Sequence, residues 1–273
     1  MEDKEKIQWH PAFRQAIKAE LAEYRDVLEF IEEYPLTTEP LKIDTVIIKK
    51  PPEVYIKKNI GRIFKGHNII EFKSPEDTLD VDSYNKTFAY AHLYASLTST
   101  DINDITVTLV SSSHPRNLLN HLSDDPKLGV GKPDDGIYYV NGERMLVQII
   151  ETKSLAEEDN LWLRSLRNGL KESTIKRLIV ESKQYDNEMR AYMYAVLEAN
   201  EEILRGDVEM SFVETLMENP TFVKVAEEKG FGNVAREKLK IARNLLKRNR
   251  PIDEIVEDTG LTREEVEGLR NAD

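Results

Sequence analysis

The chain has 273 residues, with 38 Lys and Arg against 50 Asp and Glu, a net charge of −12. A hydrophobic share of 40 % beside 32 % charged residues is that of a globular chain long enough for one large domain or two small ones. Twelve Gly and eleven Pro exclude collagen-like and low-complexity readings, and zero Cys removes disulfides, thiolate zinc sites and cysteine nucleophiles. The charged start, Met1-Glu2-Asp3-Lys4-Glu5-Lys6, is unlike a signal peptide, and no apolar run reaches the roughly 20 residues of a membrane span. A cytoplasmic protein without a membrane partner is expected. The acidic total opposes a chain that sheathes nucleic acid in positive charge, but not a local basic cleft.

In chain order, Phe13, Ile17, Leu21, Tyr24, Leu28 and Ile31 recur at spacings of three and four, which predicts one helix over residues 12–33. Pro35 and Pro40 break it. Lys42 to Lys49 is β-branched and strand-like, Val54 to Ile56 is a second β-rich run, and Asn68 to Lys73 a third, closed by Ser74-Pro75. Asp82 to Leu97 reads as a helix with Phe88, Ala91, Ala95 and Tyr84 or Tyr94 near one face. Ile105 to Val110 alternates as a strand, and Pro115 to Leu122 as a short helix. Residues 136–150 predict a β-hairpin turning on Asn141-Gly142, a pair that accepts the positive φ of a tight two-residue turn. Beyond about residue 155 the pattern is helical to the end, which sets a division into an α/β domain, 1–155, and a helical region, 156–273.

The tail joins two stretches of opposite charge. Residues 236–250 carry seven basic side chains and one acid, whereas 251–273 carry eight acids and two Arg. The last segment has helix-turn-helix spacing, but Glu264, Glu265 and Glu267 on its second helix would repel phosphates. A helical hairpin packed on the body is the expectation there, not a DNA reader.

The residues that carry chemistry are Glu71 and Lys73. Two apart on a strand, they leave one face together while Ile70 and Phe72 turn to the other. Asp44 lies near the start of an earlier strand; if the two strands are neighbours, the two carboxylates converge. Such a pair suits a hard divalent cation, Mg²⁺ or Mn²⁺, and a Lys beside it holds a phosphate or the attacking water. That set fits hydrolysis of a phosphodiester by a metal-bound water.

At these residues the chain resembles the PD-(D/E)XK nuclease superfamily, whose sites pair an Asp with an (Asp/Glu)-x-Lys on adjacent strands. The stretches Trp9-His10-Pro11-Ala12-Phe13, Leu41 to Lys50 and Asn68 to Asp77 are similar to a group of uncharacterised bacterial proteins placed in that superfamily. The resemblance covers roughly residues 9–153. It implies a restriction-endonuclease-like core of helix, mixed sheet, helix and strand, with the β-hairpin as an extension. It also implies Asp44 and Glu71 as metal ligands, the carbonyl of Phe72 as a further ligand, and Lys73 as the residue that positions or activates water. Asp44 follows Ile43 where the superfamily often has Pro. Many members add a Glu on the first helix, which points to Glu20. Within the apolar stripe Glu20 faces inward and needs a partner, a metal or Lys73, or else it snorkels at the helix edge.

Glu-x-Lys also occurs at Glu2, Glu151, Glu181 and Glu227. The competing set is Pro133-Asp134 with Glu151-Thr152-Lys153, which matches the literal motif better. Asp44, Glu71 and Lys73 are preferred because of their place between the two helices and the longer similar flanks. Residues 42–65 hold seven basic side chains against two acids. Lys49, Lys50, Lys57 and Lys58 there would receive a phosphate backbone, or else line a solvated strand edge. Lys86 either contacts phosphate or pairs with Asp82. The five His show no zinc spacing, no phosphate-cradling Gly-rich loop is present, and Ser111-Ser112-Ser113-His114 lacks a nucleophile elbow. Two functions are carried forward. One is a Mg²⁺- or Mn²⁺-dependent nuclease acting on DNA, possible as a homo-oligomer. The other is an inactive module of the same fold for nucleic-acid binding or protein interaction.

Overall fold

The computed structural model describes residues 7–35, 42–50, 53–202 and 233–271. The chain divides into two compact units, 1–168 and 169–273. The division falls later than residue 155 because α4 (Leu161–Arg164) packs on the first helix, α1 (Trp9–Glu20).

The first unit is an α/β structure around a seven-stranded mixed sheet. In chain order its strands are β1 (Leu28–Pro35), β2 (Lys42–Lys49), β3 (His67–Lys73), β4 (Ile105–Ser111), β5 (Gly129–Asp134), β6 (Ile137–Asn141) and β7 (Leu146–Glu151). Their order in space is β1-β2-β3-β4-β7-β6-β5. The middle three, β3, β4 and β7, run parallel, and the outer strands pair antiparallel. The parallel strands β3 and β4 are joined through α2 (Val81–Thr98), as a parallel pair requires a crossover. Asp80 caps α2 by accepting from the Ser83 N–H at 2.8 Å.

One face of the sheet, with Ile69, Val107, Leu109, Val147 and Ile149, packs against Tyr84, Tyr90, Ala91 and Tyr94 of α2. Leu118, Leu119 and Leu122 of α3 (Arg116–Asp124) complete that core. On the other face Phe13 of α1 stacks on Phe72 at 4.3 Å between ring centroids.

Three sequence expectations are corrected here. The stripe read as one helix over 12–33 is α1 followed by a 3₁₀ segment, Ala22–Val27, and then β1. Leu28 and Ile31, three apart, extend the helical spacing, but Val27, Phe30 and Ile31 are residues that favour a strand. β1 satisfies its backbone along β2 from Leu28↔Lys49 to Pro35↔Lys42. Val54 to Ile56 is irregular chain, with Tyr55 exposed and Ile56 buried. The hairpin exists, since β6 and β7 pair from Ile137↔Ile150 to Val140↔Val147, but its connection spans residues 142–145 rather than two residues. Gly142 adopts φ 100° there, and a Cβ on it would lie 2.1 Å from the Lys127 carbonyl oxygen.

The second unit is helical throughout its described residues: α5 (Glu172–Ser182), α6 (Arg190–Ala199), α7 (Asn233–Lys247), α8 (Ile252–Thr259) and α9 (Arg263–Asn271). The last three enclose a small core of Ala242, Ile255, Leu261, Val266 and Leu269. Gly260 ends α8 in the left-handed conformation, at φ 66°.

Candidate active site

Antiparallel pairing of β2 with β3 sets Thr45 opposite Ile70, so the next residue of each strand, Asp44 and Glu71, falls opposite its counterpart on the same face. Asp44 Oδ2 accepts a hydrogen bond from the Phe72 backbone N–H at 2.9 Å. Lys73 Nζ donates to Glu71 Oε1 at 3.0 Å. Burial raises the Glu71 pKa first and the charge of Asp44 raises it further, while Lys73 and Lys86 oppose both. Two carboxylates therefore share a poorly solvated corner in which one resists ionisation.

Lys86 comes to the same corner from α2. Its ammonium lies over the Tyr90 ring, 5.2 Å from the centroid. Burial acts against its charge, but Tyr90, Glu71 and Asp44 together hold its pKa above the ordinary lysine value. It is thus the one predicted phosphate ligand that the fold couples to the carboxylate pair.

His10 is an addition that the sequence did not single out. In the first turn of α1, its Nδ1 stands 3.7 Å from Asp44 Oδ1 and its ring meets Phe72 edge-on at 5.6 Å. Its sequence signal was its place in the Trp9-His10-Pro11-Ala12-Phe13 stretch of the resemblance. Glu33, opposite Asp44 in the β1–β2 register, has φ 49°, and its carboxylate turns away to Arg14 and Lys42, each at 3.0 Å.

Glu20 is buried, yet it is held apart from this corner. Its Oε1 accepts the N–H groups of Trp162 at 2.8 Å and Leu163 at 3.0 Å, while Oε2 pairs with Lys58 at 3.0 Å. Ten residues separate it from His10, about 15 Å along a helix axis. Its partners are the start of α4 and Lys58, in place of the metal or Lys73 of the sequence reading. Burial raises its pKa, against the pull of Lys58 and the two N–H groups.

The basic run 42–65 does not gather into one open patch. Lys49 is buried and donates to the Phe64 carbonyl at 3.2 Å, Lys50 pairs with Glu29, and Lys58 serves Glu20 and the Asp159 carbonyl. Lys57 keeps an exposed side chain.

The competing set is pulled apart. Asp134 pairs with Arg62 at 2.6 Å. Glu151 instead accepts from Ser154 Oγ at 2.6 Å and Tyr138 Oη at 3.2 Å, and meets His114 Nδ1 at 2.8 Å. Asp134 registers with Ile137, which registers with Ile150, so Asp134 and Glu151 leave opposite faces of the sheet.

Among the described residues no group of three or more His, Asp or Glu side chains is arranged to cage a metal. The corner offers two carboxylates, which fits Mg²⁺: that ion is commonly held by one or two protein carboxylates and keeps its remaining waters. Compared with known proteins, the chain matches no family model, no curated protein and no solved structure.

Proposed function

We propose that the chain is a Mg²⁺- or Mn²⁺-dependent nuclease with a restriction-endonuclease-like core, hydrolysing phosphodiester bonds in DNA. The observation that carries the reading is the pairing of Asp44 with Glu71 across β2 and β3, with Lys73 bonded to Glu71 and Lys86 in electrostatic reach of both carboxylates. Sheet, helix order and motif spacing support the superfamily resemblance.

Asp44 and Glu71 would hold the cation, with the Phe72 carbonyl as the further ligand that the resemblance implies. The bound ion would supply Lewis acidity, acidifying water and neutralising charge on the phosphoryl group. The side chains account for the remaining steps. The Phe72 N–H holds the Asp44 carboxylate through Oδ2, so that Oδ1 would be the oxygen available to hold the cation. Lys73 neutralises Glu71 and stands where it can orient the attacking water. Lys86 places positive charge beside the carboxylates, where a non-bridging phosphate oxygen would otherwise be repelled. His10, 3.7 Å from Asp44 Oδ1, would steady that carboxylate electrostatically when protonated.

Incubation with labelled single- and double-stranded DNA and RNA tests the reading. Cleavage with Mg²⁺ or Mn²⁺ that EDTA abolishes is expected. Binding without cleavage under every metal condition would favour the inactive-module reading.

No described helix is long and apolar enough to cross a membrane.

A further inference from the structure

The second unit holds a cluster of positive charge that the proposed active site does not use. Where α7 meets α8, a cavity of about 370 Å³ is lined by Leu246, Lys247, Asn249, Arg250, Ile252 and Arg270. Three of the six are cations, drawn from the end of α7, the connection after it and the last turn of α9. Among the described residues the acid paired with them is Glu254, whose Oε2 is 3.5 Å from Arg250 Nε. The neighbouring acids Asp253 and Glu267 close instead on Arg263.

The cations are not there to finish the helix. The last carbonyls of α7 are already met by backbone donors, Arg248 N–H to Asn244, Asn249 N–H to Leu246 at 2.8 Å and Arg250 N–H to Leu245 at 3.1 Å. Asn249, at φ 54°, makes the left-handed turn that swings Arg250 back over the helix end.

The cavity also continues a row. Lys240, Arg243 and Lys247 follow at spacings of three and four, all exposed, on the side of α7 opposite Ala242, Leu245 and Leu246, which face the small core. From Lys240 to Lys247 the row runs about 10 Å along the axis. An isolated phosphate needs only the cavity. A row of cations leading into it matches a ligand whose phosphates repeat along a line.

We propose that the unit of α7, α8 and α9 binds the sugar–phosphate backbone of a nucleic-acid strand along Lys240, Arg243 and Lys247 and into the Lys247–Arg250–Arg270 cavity. The acidic helices α8 and α9 supply the small core and one Arg instead of reading bases. This surface stands independently of the nuclease reading.

The test is fluorescence anisotropy of the full chain with a labelled oligonucleotide in EDTA, over a salt series. In the triple variant Lys247→Ala, Arg250→Ala, Arg270→Ala, affinity should fall by about tenfold or more, and the slope of log affinity against log salt by about 2 to 3, near 0.7 to 0.9 per lost contact. Glu254→Gln, which frees Arg250, should tighten binding. Arg250→Lys should keep the slope. Circular dichroism and melting confirm that each variant is folded. Unchanged affinity and slope in a folded triple variant overturn the proposal. So does displacement of the strand by inorganic phosphate at equal phosphate concentration, which would mark a single-phosphate site. Glu71→Gln separates the two readings, because it should abolish cleavage and leave this salt slope intact.

Discussion

Glu20 is where burial and chemistry part most clearly. A carboxylate on an apolar helix face was bound to find a partner, and it found two backbone N–H groups at the start of α4 together with Lys58. Glu20→Ala leaves both N–H groups buried without acceptors and should cost about 2 kcal/mol in denaturant unfolding. Glu20→Gln keeps an acceptor and should lie within about 1 kcal/mol of the parent, with the cleavage rate per folded molecule unaltered in both. The pH dependence has a definite sign. The folded pKa of Glu20 is raised, so its contribution is fully present below the ordinary value of 4.5 and is lost as pH climbs through the raised one. Parent stability relative to Glu20→Gln should therefore decline from pH 4.5 upward. A rise over that interval would mean that the ionised pair with Lys58 dominates.

Among the elements, the connection between β6 and β7 is the most exacting. A side chain at Gly142 would be strained at φ 100° and would collide with the Lys127 carbonyl. Gly142→Ala should cost at least about 1–3 kcal/mol, visible as a lowered melting temperature. Strands β2, β3, β4 and β7 were legible because β-branched runs are bounded by Pro, Gly or Asn. β1 was hidden, since Leu28 and Ile31, three apart, continue the helical spacing of α1, whereas on a strand they fall on opposite faces. β5 was hidden differently: Gly129-Val130-Gly131-Lys132-Pro133 has little strand propensity and owes its form to pairing with β6. The same limit governs the site. Alternation alone placed Glu71 and Lys73 on one face. Which residue stands opposite Glu71 depends on the β2–β3 register, and the approach of His10 depends on how α1 lies across Phe72, both set by tertiary packing.

At the scale of the whole molecule, a net charge of −12 makes each local excess of cations informative. The run 42–65 looked like the landing place for phosphate, yet Lys49, Lys50 and Lys58 are committed to neighbours within the fold. Lys86 and the α7 cations remain beside the chemistry or open to a ligand. If Asp44 and Glu71 hold a cation, Mg²⁺ or Mn²⁺ at 100 times its dissociation constant should stabilise the parent by about 2.7 kcal/mol, read as a rise in melting temperature. The same metal should leave Asp44→Ala unmoved.

The most direct test is metal-dependent cleavage measured side by side in five single variants. Asp44→Ala, Glu71→Ala and Lys73→Ala should all lose turnover, and Asp44→Ala and Glu71→Ala should still bind nucleic acid at least as well as the parent. The first two remove negative charge from beside the phosphate. Asp134→Ala and Glu151→Ala should continue to cut. Loss of cleavage in the Asp134 and Glu151 variants, with the first three still active, would contradict the assignment and move the site to the β6–β7 hairpin.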